Sequence, residues 1–148
     1  MKLSTKSHYG LQAMIKLAQA YDQGPLALAE VAAVEGLSLP YLEQIMTKLR
    51  RAGLVAGTRG AHGGYRLAVP PAQVKVGEVV RVLEGPIAPV ECASEQADPD
   101  CCARGEACPS RPIWQQLRDS IAQVLDATTL ADLCKTQTHE PQPTALSS

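Results

Sequence analysis

The stretch Gly36-Leu37-Ser38-Leu39-Pro40 constrains this chain more than any other, because it closes one helical pattern and opens the next after a turn of about four residues. Upstream, Leu28-Ala29-Glu30-Val31-Ala32-Ala33-Val34 is Ala-rich and stops at Gly36. Downstream, Ser38 offers an oxygen to open amides, Pro40 sits where a first-turn proline is harmless, and Tyr41, Leu42, Ile45, Met46 and Leu49 recur at helical spacing to Ala52-Gly53. A first helix is expected over about 6–22 from Leu11, Met14, Ile15, Ala18 and Tyr21, ended by Gly24-Pro25. After the third helix, Leu54–Thr58 and Tyr65–Ala68 are short β-prone runs around Arg59-Gly60-Ala61-His62-Gly63-Gly64. Three helices followed by a glycine-tipped hairpin predict a winged helix-turn-helix. The fold class is therefore mainly α with a small β-hairpin wing, plus one long helix further on.

At 148 residues the chain has room for one domain with an appendage. With 45% hydrophobic and 20% charged residues it reads as globular, and no apolar run approaches the roughly 18 residues of a membrane span. The opening Met1-Lys2-Leu3-Ser4-Thr5-Lys6 has no apolar stretch behind its basic residues, so a cytoplasmic protein that meets no membrane is expected. Charge is unevenly spread. Residues 1–68 hold eight Lys/Arg against four Asp/Glu, giving +4, while 69–148 hold six against eleven, giving −5. A basic half beside an acidic half suggests that the first part meets a polyanion.

Pro70-Pro71 breaks the chain before a fourth helix marked by Val76, Val79, Val80 and Leu83 and ended by Glu84-Gly85-Pro86. Residues 1–85 are thus expected to form the winged domain, 86–110 a cysteine-rich loop without periodicity, and 111–134 a long helix followed by a short one. Ile113, Trp114, Leu117, Ile121, Val124 and Leu125 make one apolar stripe on that long helix. It is read as a dimerisation helix, since the preceding domain is already closed and the stripe needs another surface. Thr128 or Thr129 is expected to cap the short helix, Leu130 to about Cys134, and 135–148 to form a disordered tail.

In a winged helix-turn-helix the third helix enters the major groove and the wing approaches the backbone or the minor groove of double-stranded DNA. Ser38, Tyr41, Glu43 and Gln44 lie in the first turns of that helix, where Glu accepts from a cytosine amino group and Gln pairs with adenine. Lys48, Arg50, Arg51 and the wing's Arg59 suit phosphates or a narrow minor groove, and His62 joins them at the wing tip. The plainer alternative is a helical packing or protein-binding domain whose basic face is simply solvated. Catalysis has no support, because no nucleophile–base pair, phosphate loop or acid pair occurs.

Four of the five cysteines fall in 17 residues: Cys92, eight residues, the pair Cys101-Cys102, five residues, Cys108. In a reducing compartment this favours a metal or a redox switch over structural disulfides. No C-x2-4-C knuckle is present to present two sulfurs to zinc, and adjacent cysteines point apart in most backbones. An iron–sulfur cluster accepts wider spacing, and Cys108-Pro109 is similar to the Cys-Pro pair that ends some cluster motifs. Spacing alone leaves cluster, thiol switch, zinc and inert thiols open. Cys134, in the last short helix, reads as a buried small hydrophobe.

The segments Met1-Lys2-Leu3-Ser4 to Tyr9, Tyr41-Leu42-Glu43-Gln44-Ile45, Leu49 to Val55, Arg59 to Leu67 and Cys102-x5-Cys108 together resemble the IscR-like and NsrR-like transcription regulators over about residues 1–134. The resemblance implies a homodimeric winged-helix DNA-binding protein with an iron–sulfur cluster, [2Fe–2S] favoured over [4Fe–4S], on Cys92, Cys102 and Cys108. Where such proteins carry a fourth-ligand histidine three residues after the last cysteine, this chain has Arg111, which cannot ligate iron. Some relatives take a ligand from the partner's first helix, and the matching residue is His8. A surface histidine contacting a DNA phosphate is the competing role for it. Cys101 leaves the choice within the vicinal pair open, and a metal-free switch among Cys101, Cys102 and Cys108 is the alternative mechanism.

Overall fold

The computed structural model describes residues 3–60, 63–97 and 108–137. In chain order these form α1 (Thr5–Gln19), α2 (Leu28–Glu35), α3 (Leu39–Arg51), β1 (Val55–Thr58), β2 (Gly64–Leu67), α4 (Val76–Glu84), α5 (Arg111–Ala127) and α6 (Leu130–Gln137), with short 3-10 turns at Pro71–Gln73 and Glu91–Ala93. The winged helix-turn-helix expected from the sequence is present. Its turn begins at Gly36, whose φ of 67° is the left-handed conformation that costs a residue with a Cβ about 1 kcal/mol. The first helix stops at Gln19, short of 22. Asp22 takes a φ of 66°, so the chain turns before Gly24-Pro25 is reached.

The core is one apolar cluster in which Met14, Leu17, Leu42, Ile45, Met46, Leu49, Leu67, Val74 and Val79 are fully buried. Each side chain of this size contributes about 1.5–3 kcal/mol of hydrophobic free energy. Gly10 lets α1 approach α4, since a Cβ there would overlap Leu83 Cδ1. The two wing strands pair antiparallel, Val55 with Leu67 through Thr58 with Gly64. A further connection ties the wing down. Leu26 N–H donates to Tyr65 O at 2.8 Å and Tyr65 N–H to Leu26 O at 2.9 Å, and the backbone of Leu26 passes where a Cβ on Gly64 would lie.

Two features depart from the sequence reading. Helix α6 packs on α1 and on the 3-10 turn at Pro71–Gln73, burying Leu130 completely in the N-terminal core, so it belongs with the winged domain rather than with α5. Leu130 N–H donates to Val74 O at 3.0 Å and Val76 N–H to Thr128 O at 2.9 Å. The same helix runs to Gln137, three residues into the stretch read as tail; 138–148 lie outside the described residues. Its start is a reciprocal cap, Thr129 N–H to Asp132 Oδ2 at 2.9 Å and Asp132 N–H to Thr129 Oγ1 at 3.2 Å. Among the described residues no helix is long and apolar enough to cross a membrane.

Candidate nucleic-acid interface and cysteine segment

Leu42, Ile45, Met46 and Leu49 turn one side of α3 into the core, which fixes the opposite arc toward solvent. At 100° per residue, Pro40, Gln44, Thr47 and Arg51 lie at the centre of that arc, Tyr41 and Lys48 on one edge, Glu43 and Arg50 on the other. The six sequence-predicted α3 residues from Tyr41 to Arg51 are therefore on one surface. Ser38 caps the helix, its Oγ accepting from Tyr41 N–H at 3.3 Å, and it is exposed with its hydroxyl proton free to donate elsewhere. Arg59 is exposed at the end of β1, beside Gly60, whose φ of 111° makes the tight turn closed by Gly63 N–H to Gly60 O at 2.9 Å. His62 lies outside the described residues.

Sequence reasoning missed Lys6, at the start of α1. Lys6 joins Tyr41, Gln44 and Lys48 around one small cleft between α1 and α3, and Thr5 Oγ1 and Tyr41 Oη share a hydrogen bond of 3.1 Å. Glu84 Oε1, at the end of α4, accepts from Ser4 N at 2.7 Å, from Ser7 Oγ at 2.8 Å, and from Ser4 Oγ. Burial opposes ionisation of that carboxyl, yet the Ser4 and Ser7 hydrogen bonds outweigh it and hold it below the ordinary glutamate range. A single basic residue in a first helical turn was the available signal.

The cysteine segment is anchored at both ends. Pro86–Ala97 follows α4 directly and buries Ile87 and Ala93, with Cys92 half-buried on the intervening 3-10 turn. At the other end Cys108, also half-buried, has its Sγ 3.3 Å from Ser110 Oγ, and its carbonyl accepts from Arg111 N–H at 3.2 Å where α5 begins. Arg81 joins the parts. Its guanidinium donates to Glu95 through Nε at 3.0 Å and Nη2 at 2.7 Å, and to Asp126 through Nη1 at 2.6 Å and Nη2 at 3.0 Å. Glu95 Oε2 also accepts from Ile87 N–H at 3.1 Å. Its hydrogen bonds to Glu95 and Asp126 push Arg81 further up, and the guanidinium in turn holds both carboxyls below their ordinary range. One residue of α4 thus grips the Cys92 stretch and the end of α5. Nothing in the sequence pairs these three residues in advance, because 45 positions separate Arg81 from Asp126.

Half-buried thiols in an anchored loop are donors that iron accepts, so Cys92 and Cys108 fit an iron–sulfur group chemically. Cys101 and Cys102 lie outside the described residues. Among the described residues no three His, Cys, Asp or Glu side chains gather to hold a metal. His8 is exposed on the side of α1 away from the core, its ring edge-on to Tyr9 with centroids 5.0 Å apart. Cys134 packs against the core, and burial pushes its thiol up, as befits an inert side chain. On α5, Ile113, Leu117 and Val124 are exposed to 55%, 41% and 66%, and no residue of the helix is buried.

Residues 3–136 match the Rrf2 family profile, described as iron-dependent transcriptional regulator. The HTH-type transcriptional regulator CymR of Bacillus subtilis is 45% identical over 133 residues, covering 90% of this chain and 89% of the relative. Among solved structures, IscR of T. potens superposes with a TM-score of 0.74 at 42% identity, covering 96% of this chain and 93% of that one. The oxidized form of Staphylococcus aureus CymR superposes with a TM-score of 0.74 at 38% identity, covering 91% and 97%. This chain is a DNA-binding transcription regulator and belongs to the Rrf2 family.

Proposed function

We propose that this regulator acts in the cytoplasm as a homodimer joined through α5, and that an iron–sulfur cluster held by Cys92, Cys102 and Cys108 sets its affinity for an operator. The observation that carries the reading is the anchoring of the cysteine segment. The stretch that carries its first thiol is tied through Glu95 to Arg81 of the winged domain, and its last thiol sits beside the start of α5. A change of state at these thiols therefore acts on both the DNA-reading domain and the exposed apolar helix. When bound, the cluster supplies a redox-active and ligand-sensitive centre. The chain's own part is to present the thiolates, shield Cys92 and Cys108 by half, and leave a fourth position to the partner subunit's His8, since Arg111 has no lone pair to give. The family description as iron-dependent supports this reading.

Protein purified without oxygen tests it. A brown chromophore with iron and sulfide near about two each per protomer is expected for [2Fe–2S], and about four each for the less favoured [4Fe–4S]. Cys92→Ser, Cys102→Ser and Cys108→Ser are expected to bleach it, Cys134→Ala to leave it, and His8→Ala to shift its spectrum. Leu117→Asp is expected to give folded monomers in sedimentation. A second reading, a metal-free thiol switch among Cys101, Cys102 and Cys108, is favoured by the likeness to the oxidized form of a CymR. Colourless anaerobic protein whose operator affinity responds to a thiol oxidant would establish that reading instead.

A further inference from the structure

Resting on the assignment of α3 to the DNA-facing surface, we propose that the first turn of α1 is a third DNA-contacting element, and that the cleft between Lys6 of α1 and Lys48 of α3 seats a backbone phosphate of the duplex. The cleft is walled by Lys6, Tyr41, Gln44 and Lys48 and floored by Ile45 and Leu83. Its volume of about 30 Å³ holds more than one water-sized atom but no drug-sized or nucleoside ligand. An oxygen or two of a phosphate is what fits.

The charges suit such a guest. Both lysines are exposed, neither has an ion-pair partner among the described residues, and no acidic residue occupies the first turn of α1 or of α3. Tyr41 and Lys48 lie on the edge of the exposed arc of α3 that faces α1, while Glu43 lies on the opposite edge. A phosphate in the cleft thus meets two cations, a phenol hydroxyl and an amide without a facing carboxylate from that helix.

The wall contributed by α1 is held in place before any DNA arrives. Glu84 Oε1 takes Ser4 N and Ser7 Oγ at 2.7 and 2.8 Å, together with Ser4 Oγ, which fixes the first turn against α4. Thr5 Oγ1 to Tyr41 Oη at 3.1 Å fixes it against α3. Lys6 stands between these two ties. Little ordering of the backbone is left for the moment of binding, so the contact adds affinity rather than flexibility cost.

The test is binding of full-length protein to duplexes that it selects from a random-sequence pool, over a range of salt. For Lys6→Gln the affinity is expected to fall about 3–10-fold near physiological salt, equally for all selected sequences, and the slope of log K against log salt to shrink by about 0.9 per protomer. Lys6→Arg restores the slope, and Lys6→Gln selects the same sequences as the parent. If the parent shows a steep slope and Lys6→Gln keeps that slope and affinity, the phosphate seat is wrong while the DNA reading stands. A parent without salt-dependent duplex binding removes the DNA reading itself. If Lys6→Gln instead alters which sequences are selected, Lys6 reads a base and the proposal is overturned. A final arm separates duplex from small anion: inorganic phosphate that raises the melting temperature of the DNA-free parent but not of Lys6→Gln, at matched ionic strength, would make the cleft a small-anion site and overturn the duplex assignment.

Discussion

The winged domain and the cysteine segment are held by different forces. In the first, Leu42, Ile45, Met46 and Leu49 of one helix are shut away from water, and burial of this kind is non-directional and tolerant of small shifts. In the second, the Pro86–Ala97 stretch buries only Ile87 and Ala93 and is tied mainly by Glu95 to the Arg81 guanidinium, with a longer bond of 3.5 Å from Arg118 Nη1 to Ala93 O. Burial makes a platform, whereas a charged clamp makes a joint that one lost partner releases. The proposed function uses both, a rigid helix to meet DNA and a cysteine segment free to change state.

The largest effect is expected at the seam where the contrast is least visible in the sequence. Leu130→Ala empties a fully buried site and is expected to cost about 2–5 kcal/mol, melting α6 and the core of the winged domain together in a single thermal transition. Two separate transitions would mean that α6 is not part of the platform. Next comes the joint. Arg81→Gln leaves Glu95 and Asp126 without their cation, and because these side chains are 24% and 37% exposed the loss is expected to be only about 1 kcal/mol. Its signature is local: hydrogen exchange of the Ile87 amide, bonded to Glu95, is expected to rise while that of α3 stays protected.

The contrast also explains what could be read in advance. The limits of α3 are written locally, in Ser38, Pro40 and apolar residues at helical spacing, and the helix runs Leu39–Arg51 as that pattern predicts. The docking of Leu130 on Val74, the Leu26–Tyr65 bridge and the Arg81 clamp are long-range pairings, and no periodicity announces them. For the candidate site, the solvent-facing residues of α3 were legible because core positions dictate the opposite arc. Lys6 was not, since its relevance depends on where α1 begins relative to α3. The cysteine ligands rest on resemblance and donor chemistry, with Cys102 and His62 outside the described residues.

Acid sharpens the comparison further. Glu95 and Asp126 have folded-state pKa values below their unfolded ones, so the unfolded chain binds more protons as pH drops. Their contribution is complete above the unfolded values near about 4 and is lost as pH falls through the lower folded values. Exchange at Ile87 is expected to accelerate below about pH 4 before the apolar core of α3 responds, and Arg81→Gln is expected to remove that pH dependence. Simultaneous loss of both regions would show that the clamp and the core are one cooperative unit.

The smallest effect separates two roles of one hydroxyl. Ser38 Oγ accepts from Tyr41 N–H at 3.3 Å, a long and exposed cap, so Ser38→Ala is expected to lower stability by only about 0.5–1 kcal/mol and Ser38→Gly by a few tenths. If capping were the whole of its role, operator affinity would follow that order, with glycine close to the parent. The hydroxyl proton is not used by the cap, however, and it stands at the exposed start of α3, the helix proposed to face DNA, where it can donate to a phosphate. Both variants then lose the same donor, and operator affinity is expected to fall equally in each, by about 3–10-fold for one ordinary solvent-exposed hydrogen bond, whatever their melting temperatures. Affinities that track stability instead of the missing hydroxyl would reduce Ser38 to a helix cap and leave the contacts on α3 to begin at Tyr41.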